Sequence, residues 1–178
     1  MQYFLLLLFL FSQLHASQPS SFTTRPARID DLDVLYELVC ELAVFEGKER
    51  SALPVTKENL ERYGFGSDPA YQVEFAENEM GIVGYALYSY VYSSHQGTPF
   101  IYIDDLYVRP AHRGKGIGTG LLNQLARYAK ERGCCRMEWH AFDWNDKAIS
   151  FYENLGGVLR KDLLLIRMEK EAYYKLAE

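Results

Sequence analysis

The chain has 178 residues, of which 48% are hydrophobic, 15% aromatic and 24% charged, a balance that excludes wholesale disorder, a coiled coil and a polytopic membrane protein. Its 19 Lys and Arg stand against 24 Asp and Glu for a net charge of -5, so no basic excess exists to neutralise phosphates and nucleic acid is not expected as a partner. The cysteines, Cys40, Cys134 and the adjacent Cys135, suit neither a disulfide framework nor a metal site, which points to a reducing compartment, the cytoplasm.

Tyr3 to Phe11 is an almost unbroken apolar run, and no charged side chain precedes Arg25. It is too short to cross a bilayer as a helix, which takes about 20 apolar residues. It has the length of a signal-peptide core, but Met1-Gln2 carries no basic side chain and Leu14 to Ala16 makes a poor cleavage site. Three readings stay open: an export signal, an extension from a start codon placed too early, or an apolar arm that packs or anchors. Residues 1–21 are therefore set apart as extension and linker, and residues 22–178 as one domain.

Phe22 to Pro26 reads as a short strand. Asp30 or Asp31 then caps a helix whose apolar face is Leu35, Leu38, Val39 and Leu42, stopped at Gly47. Thr56 caps a shorter helix ending at Gly64. Tyr71–Glu77 and Ile82–Tyr92 form a hairpin about Asn78 to Gly81, and Phe100–Val108 is a further strand. A helix after Gly118 buries Leu121, Leu122, Leu125, Ala126 and Ala129 and stops at Gly133. Arg136–Ala141 reads as a strand, Asp146–Leu155 as a helix closed by Gly156, and Leu163–Met168 as a last strand. The expected fold is α/β: a mixed central sheet flanked by helices.

Asp104 to Gly118 is the most informative segment, a strand running into a glycine-rich loop and then a helix. Gly114, Gly116 and Gly118 let the backbone turn and approach a ligand without Cβ obstruction. The first N–H groups of the helix have no internal partner and carry the positive end of its dipole, so the turn suits a phosphate or pyrophosphate, with Arg113 and Lys115 beside it. Neither the dinucleotide fingerprint nor the P-loop ending is present.

Arg113-Gly114-Lys115-Gly116-Ile117-Gly118, after a strand ending Tyr107-Val108-Arg109-Pro110, resembles the acyl-CoA loop of the Gcn5-related N-acetyltransferases. Ile101 to Val108, Asp143-Trp144-Asn145, Phe151 to Gly156, Ala43 to Glu46 and Tyr63 to Pro69 resemble the branch that acetylates diamines (spermidine and spermine) or thialysine. The resemblance runs from about Phe22 to the C-terminus. It implies a GNAT-like fold, acetyl-CoA as cosubstrate, no metal, a small amine as acceptor and a homodimer. It places the pantetheine arm on the backbone of Leu106, Tyr107 and Val108. The pyrophosphate falls on Arg113, Gly114, Lys115, Gly116, Ile117, Gly118 and Thr119, with a further coenzyme contact at Asn145. Asn145 would equally serve as a helix cap.

Acetyl transfer needs a neutral amine, whereas an alkylamine with a pKa of about 10 is almost fully protonated at pH 7. A nearby carboxylate binds the ammonium and then takes a proton. Asp104 and Asp105 are adjacent near a strand end, so their side chains point to opposite faces unless a bulge intervenes. The resemblance assigns Asp104 as base or amine anchor, one methylene shorter than the glutamate more common there, and leaves Asp105 as a substrate-side or structural acid. Tyr152 takes the role of general acid toward the departing thiolate, and a backbone N–H at Leu106 or Tyr107 that of oxyanion donor. Glu46, Trp139 and His140 fall on the amine side. Arg160-Lys161 stands where polyamine enzymes tend to carry acids, which favours a smaller amine over a long polycation. Two rivals remain: a non-catalytic acyl-CoA-binding or interaction module of the same fold, and an exported protein, which would be cut off from cytosolic acetyl-CoA.

Overall fold

The structure, a computed structural model, describes residues 21–178; the apolar run from Tyr3 and its three readings lie outside the described residues. The described residues fall into two compact units, 21–139 and 140–178. No helix among them is long and apolar enough to cross a membrane.

The first unit is built on a five-stranded mixed sheet, β1 (Thr23–Pro26), β2 (Gln72–Asn78), β3 (Gly81–Ser93), β4 (Thr98–Val108) and β5 (Met137–Trp139), in that spatial order. The first three pairings are antiparallel, and β5 joins β4 in parallel. Helix α1 (Leu32–Phe45) and helix α2 (Lys57–Gly64) precede β2, and α3 (Ile117–Glu131) follows β4. The expected stops hold: Gly47 follows α1 and Gly133 follows α3 with positive φ, where a side chain would be strained. Thr56 caps α2 by accepting the Asn59 N–H at 3.2 Å.

Alternation along β2 divides the core between the two faces of the sheet. Val73 and Phe75 join Leu35 and Leu38 of α1, Leu60 of α2, and Tyr85 and Tyr107 in one cluster. Glu74, between them in sequence, points the other way, where its Oε2 accepts from the Tyr128 hydroxyl of α3 at 3.0 Å. On α3 the buried side chains are Ile117, Leu121, Leu122, Leu125 and Ala129, a stripe suited to a helix lying on a sheet; Ala126, expected on the same face, is exposed because it follows Leu125 round the helix toward solvent.

Two expectations about strands give way. The strand expected over Arg136–Ala141 is limited to Met137–Trp139, because β5 pairs only with Ile101–Ile103 of β4, just before β4 bulges. The expected strand Leu163–Met168 is not formed. In the second unit no other strand exists among the described residues to accept its backbone hydrogen bonds, and Leu164 and Ile166 are 88% and 90% exposed. That unit consists of α4 (Asp146–Asn154), the intervening segment and α5 (Lys170–Leu176). Helix α5 was not foreseen; Lys170, Glu171, Ala172 and Leu176 are strong helix formers.

Gly84 on β3 is a position of close backbone approach. A Cβ there would lie 2.7 Å from the Tyr107 carbonyl and 3.3 Å from Val108 Cα. Gly84→Ala is therefore expected to push β4 off β3 at a cost of about 1–3 kcal/mol, read as a lowered Tm; an unchanged Tm would contradict this account of the pairing.

Candidate active site

The site of the first unit is created by one irregularity in β4. Leu87 pairs with Asp105 but the next residue, Tyr88, pairs with Ile103, so Asp104 is left over as a β-bulge. Tyr85 pairs with Tyr107, and directly opposed residues share a face of the sheet, so Asp105 lies on the face of Tyr85, Leu87 and Tyr107. Asp104 itself is exposed.

Beyond the bulge, β4 pairs with β3 and, among the described residues, with no strand on its other side. The Arg109 N–H donates to the Val83 carbonyl at 2.9 Å, so Arg109 faces β3. By alternation the N–H and C=O groups of Val108 and Leu106 face away from it. The Tyr107 carbonyl lies against Gly84, on the β3 side. Of the three residues expected to pair with a pantetheine arm, Leu106 and Val108 thus present outward backbone groups. Among the described residues no strand pairs with that edge, since β5 ends at Trp139 beside Ile103.

The β4 edge leads to the glycine turn. Gly114 and Gly116 have φ of +73° and +80°, and a Cβ at either would meet nothing within 4 Å. The turn is thus a cradle of bare backbone. Gly116 is the N-cap of α3 and no side chain caps that end, which leaves the N–H groups of the first turn, Ile117 to Thr119, for an anion. The buried Ile117 side chain pins this turn to the core. Arg113 donates from Nε to the Val108 carbonyl at 2.8 Å, and its guanidinium lies 4.7 Å from the Phe45 ring centroid and 5.6 Å from that of Tyr107. Lys115 donates to the Ala111 carbonyl at 3.0 Å. These features fit the diphosphate of an acyl-CoA.

The acids cluster at the other end. The Tyr85 hydroxyl donates to Asp105 Oδ2 at 2.7 Å. Burial pushes the Asp105 carboxyl up to about 6, with the neighbouring charges of Asp104 and Glu46 adding to the shift and the Tyr85 hydrogen bond and Lys48 opposing it. Glu46, the residue that closes α1, pairs with Lys48 at 3.0 Å. The structure thus brings Glu46, Asp104 and Asp105 together. Three further residues support this region without having been singled out in the sequence: Tyr85, Glu41 and Arg109. Arg109 donates to both oxygens of Glu41 at 2.9–3.1 Å and to the Ile82 carbonyl at 3.0 Å, and Tyr107 donates to Glu41 at 3.3 Å. The Glu41–Arg109 pair spans 68 residues, and no short-range pattern announces it.

The remaining candidates belong to the second unit. Asn145 caps α4, its Oδ1 accepting the Ala148 N–H at 3.3 Å. Tyr152 sits on α4 against the Phe151 ring, 5.2 Å between centroids, and burial raises its hydroxyl above the usual phenol range. His140 is exposed at the start of the unit. Arg160 is bound to Asp162 by two hydrogen bonds of 2.8 and 2.6 Å, which hold that carboxyl down at about 2. Among the described residues no group of three or more His, Cys, Asp or Glu is arranged to hold a metal ion.

An Asp carboxyl raised to about 6 binds its proton more tightly in the folded chain than in the unfolded one, where its pKa is about 4. Stability is therefore lost as pH rises from about 4 to about 6 and stays lost above that. Asp105→Asn, which keeps an oxygen for Tyr85, is expected to raise Tm at pH 7.5 by about 3 °C or more, with the gap closing toward pH 4. A variant less stable than the parent at pH 7.5 would contradict the assigned desolvation.

Residues 33–157 match the family model described as Acetyltransferase (GNAT) family. Over 167 residues the chain is 35% identical to the thialysine N-epsilon-acetyltransferase of Mus musculus, covering 86% of this chain and 95% of that protein. It is 32% identical over 144 residues to spermidine/spermine N(1)-acetyltransferase-like protein 1 of Homo sapiens, covering 77% of this chain and 20% of that one. Its fold is that of an integron cassette protein of V. cholerae, with a TM-score of 0.73 and 24% identity over 89% of this chain and 98% of the other. The glycine cradle, the bulged strand and these likenesses agree: the chain belongs to the acetyltransferase (GNAT) family.

Proposed function

We propose that the chain transfers an acetyl group from acetyl-CoA directly to a small primary amine of the thialysine or short-diamine class. The observation that carries this is the β4 edge at Leu106 and Val108, with which no strand among the described residues pairs, with an acidic cluster at one end and an uncapped glycine turn at the other. Acetyl-CoA, when bound, supplies an acyl group activated as a thioester. The first-turn N–H groups of α3 hold the diphosphate, helped by Arg113 and Lys115, and Val108 aligns the pantetheine arm. The Leu106 N–H faces the oxygen on which negative charge develops.

On the acceptor side the exposed Asp104 and Glu46 anchor the ammonium. Asp105, with a carboxyl near 6, is ionised at neutral pH yet basic enough to receive a proton directly or through water. The amine nitrogen then forms its bond to the acyl carbon as the carbon–sulfur bond breaks; Tyr152 gives its proton to the leaving thiolate, and the second proton shed by the new amide nitrogen restores the Tyr152 phenol, so that the net proton released is the one held by Asp105. A phenol kept above its usual range by burial remains protonated until then. Trp139 and His140 line the amine side. Lys161 disfavours a long polycation, the Arg160 charge being taken up by Asp162, and the 35% identity to a thialysine N-epsilon-acetyltransferase supports the smaller acceptor. The enzyme is assigned to the cytoplasm, where acetyl-CoA and three free cysteines are at home, and to a homodimer on the family likeness.

Tyr152→Phe is expected to lower turnover by about 10²-fold or more while acetyl-CoA affinity stays nearly constant. The readout is thiol release in a screen over thialysine, lysine, putrescine, spermidine and aminoglycosides. Unchanged turnover would remove Tyr152 from the reaction, and coenzyme-dependent heat protection with no thiol release for any amine would favour a non-catalytic module. Gly116→Asp, which sets a side chain and a negative charge into the cradle, is expected to weaken acetyl-CoA binding by tenfold or more, an order-of-magnitude figure for like charge at a helix N-terminus; equal affinity by calorimetry would show that the turn holds no phosphate.

A further inference from the structure

Tyr85 lies in the core of the first unit, fully buried, and a phenylalanine would fill the same space. Its ring packs 6.4 Å from that of Tyr107, yet its hydroxyl is turned to a single partner, Oδ2 of Asp105 at 2.7 Å. A buried phenol that reaches a half-buried carboxylate is an expensive arrangement unless the pair is kept for what the carboxylate does. Oδ1 of Asp105 takes no hydrogen bond from the described residues. One oxygen is thus tethered and the other left for a proton.

We propose that Tyr85 is a positioning residue of the reaction: its O–H, donated to Oδ2, fixes the Asp105 carboxylate in one orientation and leaves Oδ1 to take the proton from the bound ammonium. This rests on the acetyltransferase reading given above. In the step itself the N–H bond of the ammonium breaks, its electron pair stays on nitrogen, and the proton passes to Oδ1, directly or through one water. Tyr85 keeps its own proton throughout, because burial and the adjacent carboxylate drive its hydroxyl well above the phenol range.

The charged groups around Asp105 make Tyr85 the tether rather than one of several. On its own strand stands Asp104, and from the end of α1 comes Glu46, both of which disfavour the carboxylate. Lys48, just past α1, favours it but is shared with Glu46 at 3.0 Å. Glu41 of α1 is occupied by Arg109 and Tyr107. Among these groups only the Tyr85 hydroxyl makes a hydrogen bond to Asp105.

The test compares pH profiles of kcat/KM for the parent chain and Tyr85→Phe, with far-UV circular dichroism to confirm folding. The parent is expected to lose activity below about pH 6. In Tyr85→Phe that limb moves up by about one pH unit, the expected size for a lost hydrogen bond to a charged group, so that activity at pH 6 falls several-fold while that at pH 8.5 is largely kept. A uniform loss at every pH, or an unmoved limb, overturns the proposal while leaving the acetyltransferase reading intact. An independent arm needs no activity: the 13C resonance of the Asp105 carboxyl, assigned by its absence in Asp105→Asn, is followed by NMR. Titration near 6 in the parent, moving upward in Tyr85→Phe, supports the tether. Titration near 4 in the parent overturns it, including where Tyr85→Phe does not fold or where no amine is acetylated.

Discussion

The bulge at Asp104 is the constraint from which the site follows. Period-2 alternation would otherwise put Asp105 on the face of Ile103, which packs on the α3 side of the sheet opposite Tyr88. One extra residue switches Asp105 to the face of Tyr85 and Tyr107, where a hydroxyl meets it, and leaves Asp104 in solvent. The same irregularity coincides with the end of β5 at Trp139, so the last residues of β4 keep a backbone edge with which no strand among the described residues pairs. A single inserted residue therefore places an acid, uncovers an edge and aims that edge at the glycine turn.

Charge is sorted along this edge although the chain as a whole is only mildly acidic. Carboxylates gather at one end, at Glu46, Asp104 and Asp105, while Glu41 is neutralised by Arg109. At the other end the positive contribution comes from backbone: the bare first turn of α3 beside Gly114 and Gly116. The desolvated Asp105 carboxylate costs the fold stability at neutral pH. Its cost is limited by Tyr85, and the Ile117 anchor keeps the adjoining turn in place.

Much of this was legible in the amino-acid sequence, and the reasons for the exceptions are physical. Helices declared by caps and stripes, such as α2 after Thr56 and α3 with its Leu121, Leu122 and Leu125, form as expected, because those signals are local. The glycine cradle was visible because positive φ needs glycine. The resemblance points to Asp104 as base or anchor; that Asp105 meets Tyr85 while Asp104 stays exposed was not visible, since it depends on a register slip between Leu87 and Tyr88 that no spacing within β4 records. Tyr85 stayed hidden for the same reason: across a bulged hairpin its partner cannot be counted off. Leu163–Met168 misled because apolar composition alone does not make a strand; a strand needs a neighbour, and the second unit offers none among the described residues.

The central claim, that the β4 edge beyond the bulge is uncovered in order to receive the coenzyme arm, is tested most directly by amide hydrogen exchange at Leu106 and Val108. Both amides are expected to exchange quickly in the free chain and to become strongly protected on addition of acetyl-CoA, while Tyr107, turned toward β3, is protected throughout. Protection of Leu106 and Val108 before the coenzyme is added, or exchange that acetyl-CoA leaves unaltered, would contradict the account.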